Sequence, residues 1–373
     1  MTRPRLLFVV TEDWYFCSHR LAMAQAAQAA GYDVGVVTRV RDHGDLIQDA
    51  GLRLIPFENA RSGLNPLTEL ATLMRLVRVY RRERPDIVHH VAIKPVLYGS
   101  IAARLTKVGR VVNALAGLGW LSAKDTSLSR WLRPVVRALM ARLLRSGRTI
   151  VQNRDDAFRL AQLGVPPSQI THIPGSGVDL TVFRPGPEPT GVPVVVFLAR
   201  LLWDKGIGEF VEAARILREQ GTAATFVLAG DPDLANASAV PKGTMAEWVR
   251  EGIVSHLGWV RDVPALLTAS HIVCLPSFYG EGIPKSLIEA AAAGRPIVTT
   301  DMPGCREIVH HEDNGLLVPA RDPQTLAAAL KRLLVSPELR RKMGARGRAR
   351  AEAEYGLEHV IQQTLAVYAE AIV

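Results

Sequence analysis

The chain has 373 residues, 48% hydrophobic and 22% charged, enough for two ordinary domains with sizeable cores and too apolar for a disordered chain. Its three cysteines, Cys17, Cys274 and Cys305, lie far apart without C-x-x-C spacing, which argues for a reducing compartment and against a metal–thiolate site. The net charge of +9 is uneven: residues 1–185 carry 26 Lys and Arg against 14 Asp and Glu, and the remainder 19 against 22, so the first half either meets something anionic or merely keeps the protein soluble, and no nucleic-acid motif accompanies it.

From the N-terminus onward, short apolar runs alternate with helix-length segments. The first, 6–10, is too short for a signal peptide and meets Glu12 and Asp13 at once. Further runs at 34–38, 52–57, 86–91, 111–115, 149–153 and 170–174 predict a parallel doubly wound sheet. A second series at 194–199, 225–230, 254–259, 272–276, 296–300 and 315–319 predicts another of the same type. The Pro/Gly-rich stretch from Pro174 to Pro189 separates them and suits a hinge, which places the boundary near residue 188. The expected division is a first lobe over 1–188, a second over 189–355, and a final helix over 356–373 packing back across both. Ligands of such sheets bind beyond the carboxyl ends of the strands, so two lobes facing one another would make a cleft. No stretch approaches the length of a membrane span, and a cytosolic enzyme is the expectation.

Several loops at strand ends carry candidate chemistry. After the first run come Trp14, Tyr15 and Phe16, suited either to lining a cleft or to plugging the core, with Ser18 placed to cap a helix running to Ala30. After the fourth come His89 and His90, which as strand neighbours point opposite ways and make no metal pair; Lys94, at the strand's end, is the better anion ligand. Residues 128–148 carry an apolar stripe flanked by Arg130, Arg133, Arg137, Arg142 and Arg145. That pattern fits a helix lying on an anionic membrane and equally a helix covering the sheet, with Pro134 expected to interrupt it. Gly175-Ser176-Gly177 is half of a dinucleotide fingerprint, but no helical pattern follows, which argues against a dehydrogenase.

In the second half, Arg200 and Lys205 follow the strand at 194–199, where they suit a diphosphate unless salt bridges to Asp204 or Glu209 occupy them. The stretch 272–300 reads as strand, Gly-containing loop, helix and strand. Pro284 suits the first helical position and Gly294 the end, so the helix start attracts phosphate. Glu281 on the loop and Glu289 on the helix would repel phosphate, and there they suit hydrogen bonds from sugar or ribose hydroxyls; the alternative is two solvated surface residues.

Three motifs carry a resemblance over nearly the whole chain: Ala199-Arg200-Leu201 with Lys205-Gly206, the run from Gly280 to Ala290, and Gly294-Arg295-Pro296-Ile297-Val298. In this order they resemble the retaining glycosyltransferases of family 4, with the two-lobed GT-B fold. Ser18-His19-Arg20, Ile93-Lys94-Pro95, Gly117-Leu118-Gly119, Gly230-Asp231-Pro232-Asp233 and the run from Pro303 to Val309 resemble the branch that builds bacterial surface polysaccharides and lipid-linked oligosaccharides.

The resemblance implies that Arg200 and Lys205 bind the donor diphosphate and stabilise leaving-group charge, that Glu281 holds hydroxyls of the transferred sugar, and that Glu289 holds the ribose. Backbone amides of Gly282, Ile283, Pro284's neighbourhood and Lys285 would add to the phosphate site, and the stretch around Gly258 would pass the nucleobase. Trp14, His19, Lys94, Gly117 and Gly119 become candidates on the acceptor side. It further implies a metal-independent reaction without a cofactor. The donor would be a nucleoside diphosphate sugar, UDP-linked, such as an N-acetylhexosamine; the acceptor would be a polyprenyl-diphosphate-linked saccharide at the inner face of the plasma membrane, the enzyme being peripheral there. Many members carry a histidine before the glycine where this chain has Leu115-Ala116-Gly117, so no side-chain base is assigned. A soluble acceptor, a UDP-sugar epimerase on the same architecture and a non-catalytic nucleotide-sugar-binding subunit are the alternatives. Which sugar, which linkage and which oligomeric state are not readable from the sequence.

Overall fold

The computed structural model describes residues 3–58, 66–118 and 127–370, without the side chains of Pro66 and of 127–135. Gly119 therefore lies outside the described residues. The chain forms two compact units: Met1–Ser176 together with Val360–Val373, and Gly177–His359.

The first unit holds seven strands: β1 (Arg5–Glu12), β2 (Asp33–Arg39), β3 (Arg53–Pro56), β4 (Ile87–Val91), β5 (Arg110–Leu115), β6 (Arg148–Val151) and β7 (Ile170–His172). They form one parallel sheet in the order β3-β2-β1-β4-β5-β6-β7. The crossovers are helical: α1 (Asp13–His19), α2 (Leu21–Ala29), α3 (Gly44–Asp49), α4 (Pro66–Glu83), α5 (Ile93–Thr106), α6 (Ser127–Leu144) and α7 (Arg154–Gln162). Helices on both faces explain why β4 is buried at every position, both histidines included. His90 reaches the Tyr80 hydroxyl and Asn113 Oδ1, each at 2.8 Å, and His89 Nδ1 reaches the Tyr368 hydroxyl at 2.5 Å. Burial holds both imidazoles below their ordinary pKa, His90 at about 4, so they are neutral packing residues.

Two local expectations are corrected. The segment after β1 is already helical: α1 starts at Asp13, and Ser18 is an exposed residue near its end rather than a cap. Asp13 is the cause, since its buried carboxylate accepts from the amides of Trp14 (2.8 Å), Arg41 (2.6 Å) and His43 (3.0 Å), tying the ends of β1 and β2 together. The second correction is that α6 runs unbroken through Pro134.

The second unit repeats the plan with β8 (Val194–Leu198), β9 (Thr225–Ala229), β10 (Ser255–His256), β11 (Ile272–Leu275), β12 (Ile297–Thr300) and β13 (Gly315–Val318), all parallel, in the order β10-β9-β8-β11-β12-β13. Its helices are α8 (Ile207–Glu219), α9 (Lys242–Arg250), α10 (Val263–Thr268), α11 (Lys285–Ala292), α12 (Cys305–Ile308), α13 (Pro323–Leu334) and α14 (Pro337–Arg350), followed by a π turn at Ala351–Tyr355 and by α15 (Leu357–Glu370). From Val360 onward α15 belongs to the first unit, where Val360, Val367 and Tyr368 join the core around Phe8 and Val36. In both sheets the strand order reverses direction beside the first strand, between β1 and β4 and between β8 and β11, the place where doubly wound folds bind ligands.

The Pro/Gly-rich connection is fixed to the second unit from Gly177 onward. Val178 sits in that unit's core and pairs with Gly356. Buried Arg295 donates to the carbonyls of Leu267 (2.9 Å), Thr268 (3.1 Å), Gly186 (3.3 Å) and Pro187 (3.4 Å). Buried Arg340 binds both carboxylate oxygens of Glu188, which depresses the Glu188 pKa.

Candidate active site

At the carboxyl end of β8 the chain passes through Arg200, makes a tight turn at Trp203–Lys205 and enters α8 through Gly206, whose φ is +77°. A Cβ at Gly206 would fall 2.1 Å from the Pro276 carbonyl oxygen, so glycine lets this turn lie against the end of β11. The Asp204 carbonyl accepts from the amides of Phe278 (3.0 Å) and Tyr279 (3.2 Å). These contacts stitch the β8 loop to the β11 loop and bring Lys205 Nζ into an ion pair with Glu281 Oε2, while the Ser277 hydroxyl donates to Glu281 Oε1 at 2.9 Å. The Lys205 and Glu281 side chains are only 13% and 14% exposed, so neither charge is a solvated surface group.

Arg200 Nη1 donates to Asp233 Oδ2 at 2.7 Å, so its partner comes from the loop after β9. The sequence pointed to Asp204 or Glu209 as possible partners; the carboxylates that meet Arg200 and Lys205 are Asp233 and Glu281.

Pro284 caps α11 from outside, one position earlier than expected, and Gly294 follows the helix in the left-handed region at φ +68°. The first-turn amides and the helix dipole at Lys285 favour an anion there. Glu289 lies one turn inside and is buried, with Lys285 Nζ at 3.4 Å. Burial raises its pKa, and the Lys285 charge opposes the rise. The solvated-surface alternative for Glu289 does not hold.

Behind the loop, Gly304 has φ +83°, and a Cβ on it would fall 1.6 Å from the Gly282 carbonyl oxygen. Next to it the Cys305 thiol is pushed up to about 12 by burial and then by the Glu281 charge, which keeps it a neutral thiol. On the other side of β8, Gly230 accepts at its carbonyl from His256 Nε2 (2.8 Å) and donates its amide to the Gly258 carbonyl (2.7 Å). That hydrogen-bonded turn presents Trp259, 64% exposed, beside Gly258.

In the second unit, Arg200, Lys205, Glu281, Gly282, Ile283, Pro284, Lys285 and Glu289 thus come from the ends of β8 and β11 and the start of α11, around the reversal of strand order. Asp233 and Ser277, which hold Arg200 and Glu281, carried no assigned role in the sequence. Asp233 lies in one of the resembling motifs, whereas nothing marked Ser277.

Two family models match the chain in succession: "Glycosyl transferase 4-like" over residues 5–153 and "Glycosyl transferases group 1" over residues 192–336. The chain belongs to these glycosyltransferases. Over 363 residues it is 28% identical to N,N'-diacetylbacillosaminyl-diphospho-undecaprenol alpha-1,3-N-acetylgalactosaminyltransferase of Campylobacter jejuni, covering 94% of each chain. It is 29% identical over 283 residues to UDP-Gal:alpha-D-GlcNAc-diphosphoundecaprenol alpha-1,3-galactosyltransferase of Escherichia coli, covering 72% of this chain and 71% of the other. Among solved structures, Anabaena HepE in complex with UDP aligns with a TM-score of 0.78 at 18% identity over 98% of this chain and all of that one. Sucrose-phosphate synthase of Thermosynechococcus elongatus aligns with 0.80 at 22% over 99% of each. The fold of the glycosyltransferase is therefore GT-B.

The acceptor-side candidates of this glycosyltransferase lie in the first unit. Trp14 and His19 sit on α1, where Tyr15 stacks on His19 with centroids 4.2 Å apart, while Phe16 is buried in the core. Lys94, in the first turn of α5, is ion-paired to Glu69 at 3.0 Å. Gly117 follows β5 with φ +109°. The next residue, Leu118, donates its amide to Asp156, a buried carboxylate that the sequence did not single out. Burial raises Asp156 to about 6 against the pull of Asn153 and Arg159.

Proposed function

We propose that the chain is a retaining glycosyltransferase that moves a sugar from a UDP-sugar to a hydroxyl of a polyprenyl-diphosphate-linked saccharide, without a metal. The observation that carries the reading is the meeting of Arg200, Lys205, Glu281 and the α11 N-terminus where the strand order reverses beside β8. Two relatives that are similar over most of the chain, both named for undecaprenol-diphosphate-linked sugars, support the acceptor class.

In this reading, Asp233 and Glu281 hold the two cations in place before the donor arrives. The more highly charged diphosphate then takes them over, with the α11 amides on its other oxygens. Glu281, released from Lys205, accepts hydrogen bonds from the transferred sugar; Glu289, neighboured by Lys285, accepts from the ribose. As the bond from the anomeric carbon to the diphosphate oxygen breaks, Arg200 and Lys205 meet the charge that grows on the leaving group. The acceptor hydroxyl attacks the face the diphosphate leaves, which retains configuration, and its proton passes to the diphosphate. No helix among the described residues is long and apolar enough to cross a membrane, so work on a lipid-linked acceptor calls for association at the inner membrane surface.

The test is thermal unfolding with UDP, GDP or ADP. At 100 times its dissociation constant a ligand adds about 2.7 kcal/mol. UDP is expected to shift the wild type, with the shift lost in Lys205→Ala and Glu289→Ala. No shift with any nucleotide sinks the reading, and turnover of UDP-sugar without an acceptor favours the epimerase instead.

A further inference from the structure

Helix α4 (Pro66–Glu83) shows an unusual outer face. Residues 67, 70, 71, 74, 75, 78, 81 and 82 fall on one side at helical spacing, and all are exposed. The first half of that face is apolar: Leu67 is 77% exposed, Leu70 56% and Met74 41%, with Ala71 between them. The second half is Arg75, Arg78, Arg81 and Arg82. The helix's two carboxylates point elsewhere: Glu69 pairs with Lys94 (3.0 Å), and Glu83 receives Arg53 and Arg82.

The helix has a defined direction. Glu69 meets Lys94 just beyond the carboxyl end of β4, whereas Glu83 meets Arg53 at the start of β3. The exposed leucines therefore lie at the carboxyl pole of the first sheet, the pole where doubly wound folds bind ligands. Each half of the face spans about 10 Å at the helical rise.

We infer that this face of α4 is the enzyme's membrane-docking surface, with Leu70 and Met74 entering the acyl boundary of an anionic bilayer and Arg75, Arg78 and Arg81 meeting lipid phosphates. An apolar end continued by arginines, with no carboxylate on the face, matches an anionic lipid surface in charge and polarity. A protein partner would more often leave mixed charge at the rim. The inference rests on the lipid-linked acceptor of the proposed function for its purpose, but not for its evidence. It differs from the basic stripe of α6, which the sequence fitted equally to a membrane surface and to covering the sheet.

The experiment is flotation of the full chain with vesicles of phosphatidylcholine, with and without phosphatidylglycerol. The wild type is expected to float only with the anionic vesicles. Leu70→Asp with Met74→Asp, and separately Arg78→Glu with Arg81→Glu, should each lower the bound fraction at least about tenfold. Arg137→Glu with Arg142→Glu on α6 should change it little. Because the α4 residues are exposed, each variant should keep the UDP-induced thermal shift, which separates docking from folding and from the donor site. Failure of the wild type to bind anionic vesicles overturns the inference, as does undiminished binding by the α4 variants. A wild-type dimer that Leu70→Asp with Met74→Asp turns into a monomer, with vesicle binding intact, also overturns it and makes the face a contact between copies. A wild type that floats but shows no shift with UDP keeps the docking surface and removes the transferase reading.

Discussion

Asp156 shows what one buried carboxylate does to an enzyme's pH response. It follows the N-cap of α7: Asn153 Oδ1 accepts from the Asp156 amide at 2.8 Å, and Asn153 Nδ2 donates back to Asp156 Oδ2 at 3.0 Å. Its carboxylate also receives the Leu118 amide, so one side chain secures both a helix start and the loop after β5. With its pKa raised to about 6, the folded chain holds the proton more tightly than the unfolded chain does. Its contribution is then complete below the unfolded value near pH 4 and is lost as pH rises through about 6, a change of about 3 kcal/mol. Asp156→Asn removes the titration, so chemical denaturation should find wild-type stability falling relative to the variant between pH 4 and pH 6, with a constant difference above. A difference that does not vary with pH would mean that Asp156 titrates alike in the folded and unfolded chain, so that burial does not shift it. Cys305 has the same cause, burial, but at about 12 it titrates outside any working range and lends the site bulk rather than a thiolate.

At the scale of elements, glycine placement decides whether the loops after β8 and β11 fit together. Gly304→Ala puts a methyl group 1.6 Å from the Gly282 carbonyl in a left-handed conformation, so the loop ahead of α11 must move. The expected result is a folded protein, by circular dichroism, that is less stable by at least about 1–3 kcal/mol and has lost its UDP-induced shift. Gly243→Ala in α9, where a Cβ meets nothing within 4 Å, is the matched control and should stabilise by about 0.4–1 kcal/mol. An unaffected UDP shift in Gly304→Ala would show that the loop tolerates displacement. These elements were legible because their signals are local. Apolar runs marked the strands, Gly294 marked the end of α11, and the order of runs gave two doubly wound sheets. What escaped is held by distant partners. The helicity of α1 depends on Asp13 binding amides of Arg41 and His43, and the hold on Arg200 depends on Asp233; neither contact leaves a periodicity to read. Arg295 and Arg340 likewise look like surface arginines in the sequence, yet both are buried as staples of the segment at 186–188.

For the whole molecule, the chain passes between the two units twice, once after Ser176 and again before Val360, so the last helix is part of the first unit although it is made last. Tyr368 is the residue that fixes it. It is fully buried, its hydroxyl meets His89 Nδ1 at 2.5 Å, and its ring lies edge-on to Tyr32 with centroids 5.9 Å apart. Tyr368→Ala removes a large side chain from that core and leaves His89, whose Nε2 is already buried without a hydrogen-bond partner, unpaired at both ring nitrogens. The cost should be about 3–5 kcal/mol, borne by the first unit alone. Denaturant unfolding is then expected to separate into two transitions, the earlier one belonging to the first unit and the later one still raised by UDP, because every residue proposed to bind the donor lies in the second unit. Tyr368→Phe, which keeps the ring and loses only the hydroxyl, should cost about 1–3 kcal/mol and keep a single transition. If Tyr368→Ala instead abolishes the UDP effect, or if both units melt together at a lower midpoint, α15 couples the units rather than merely completing the first.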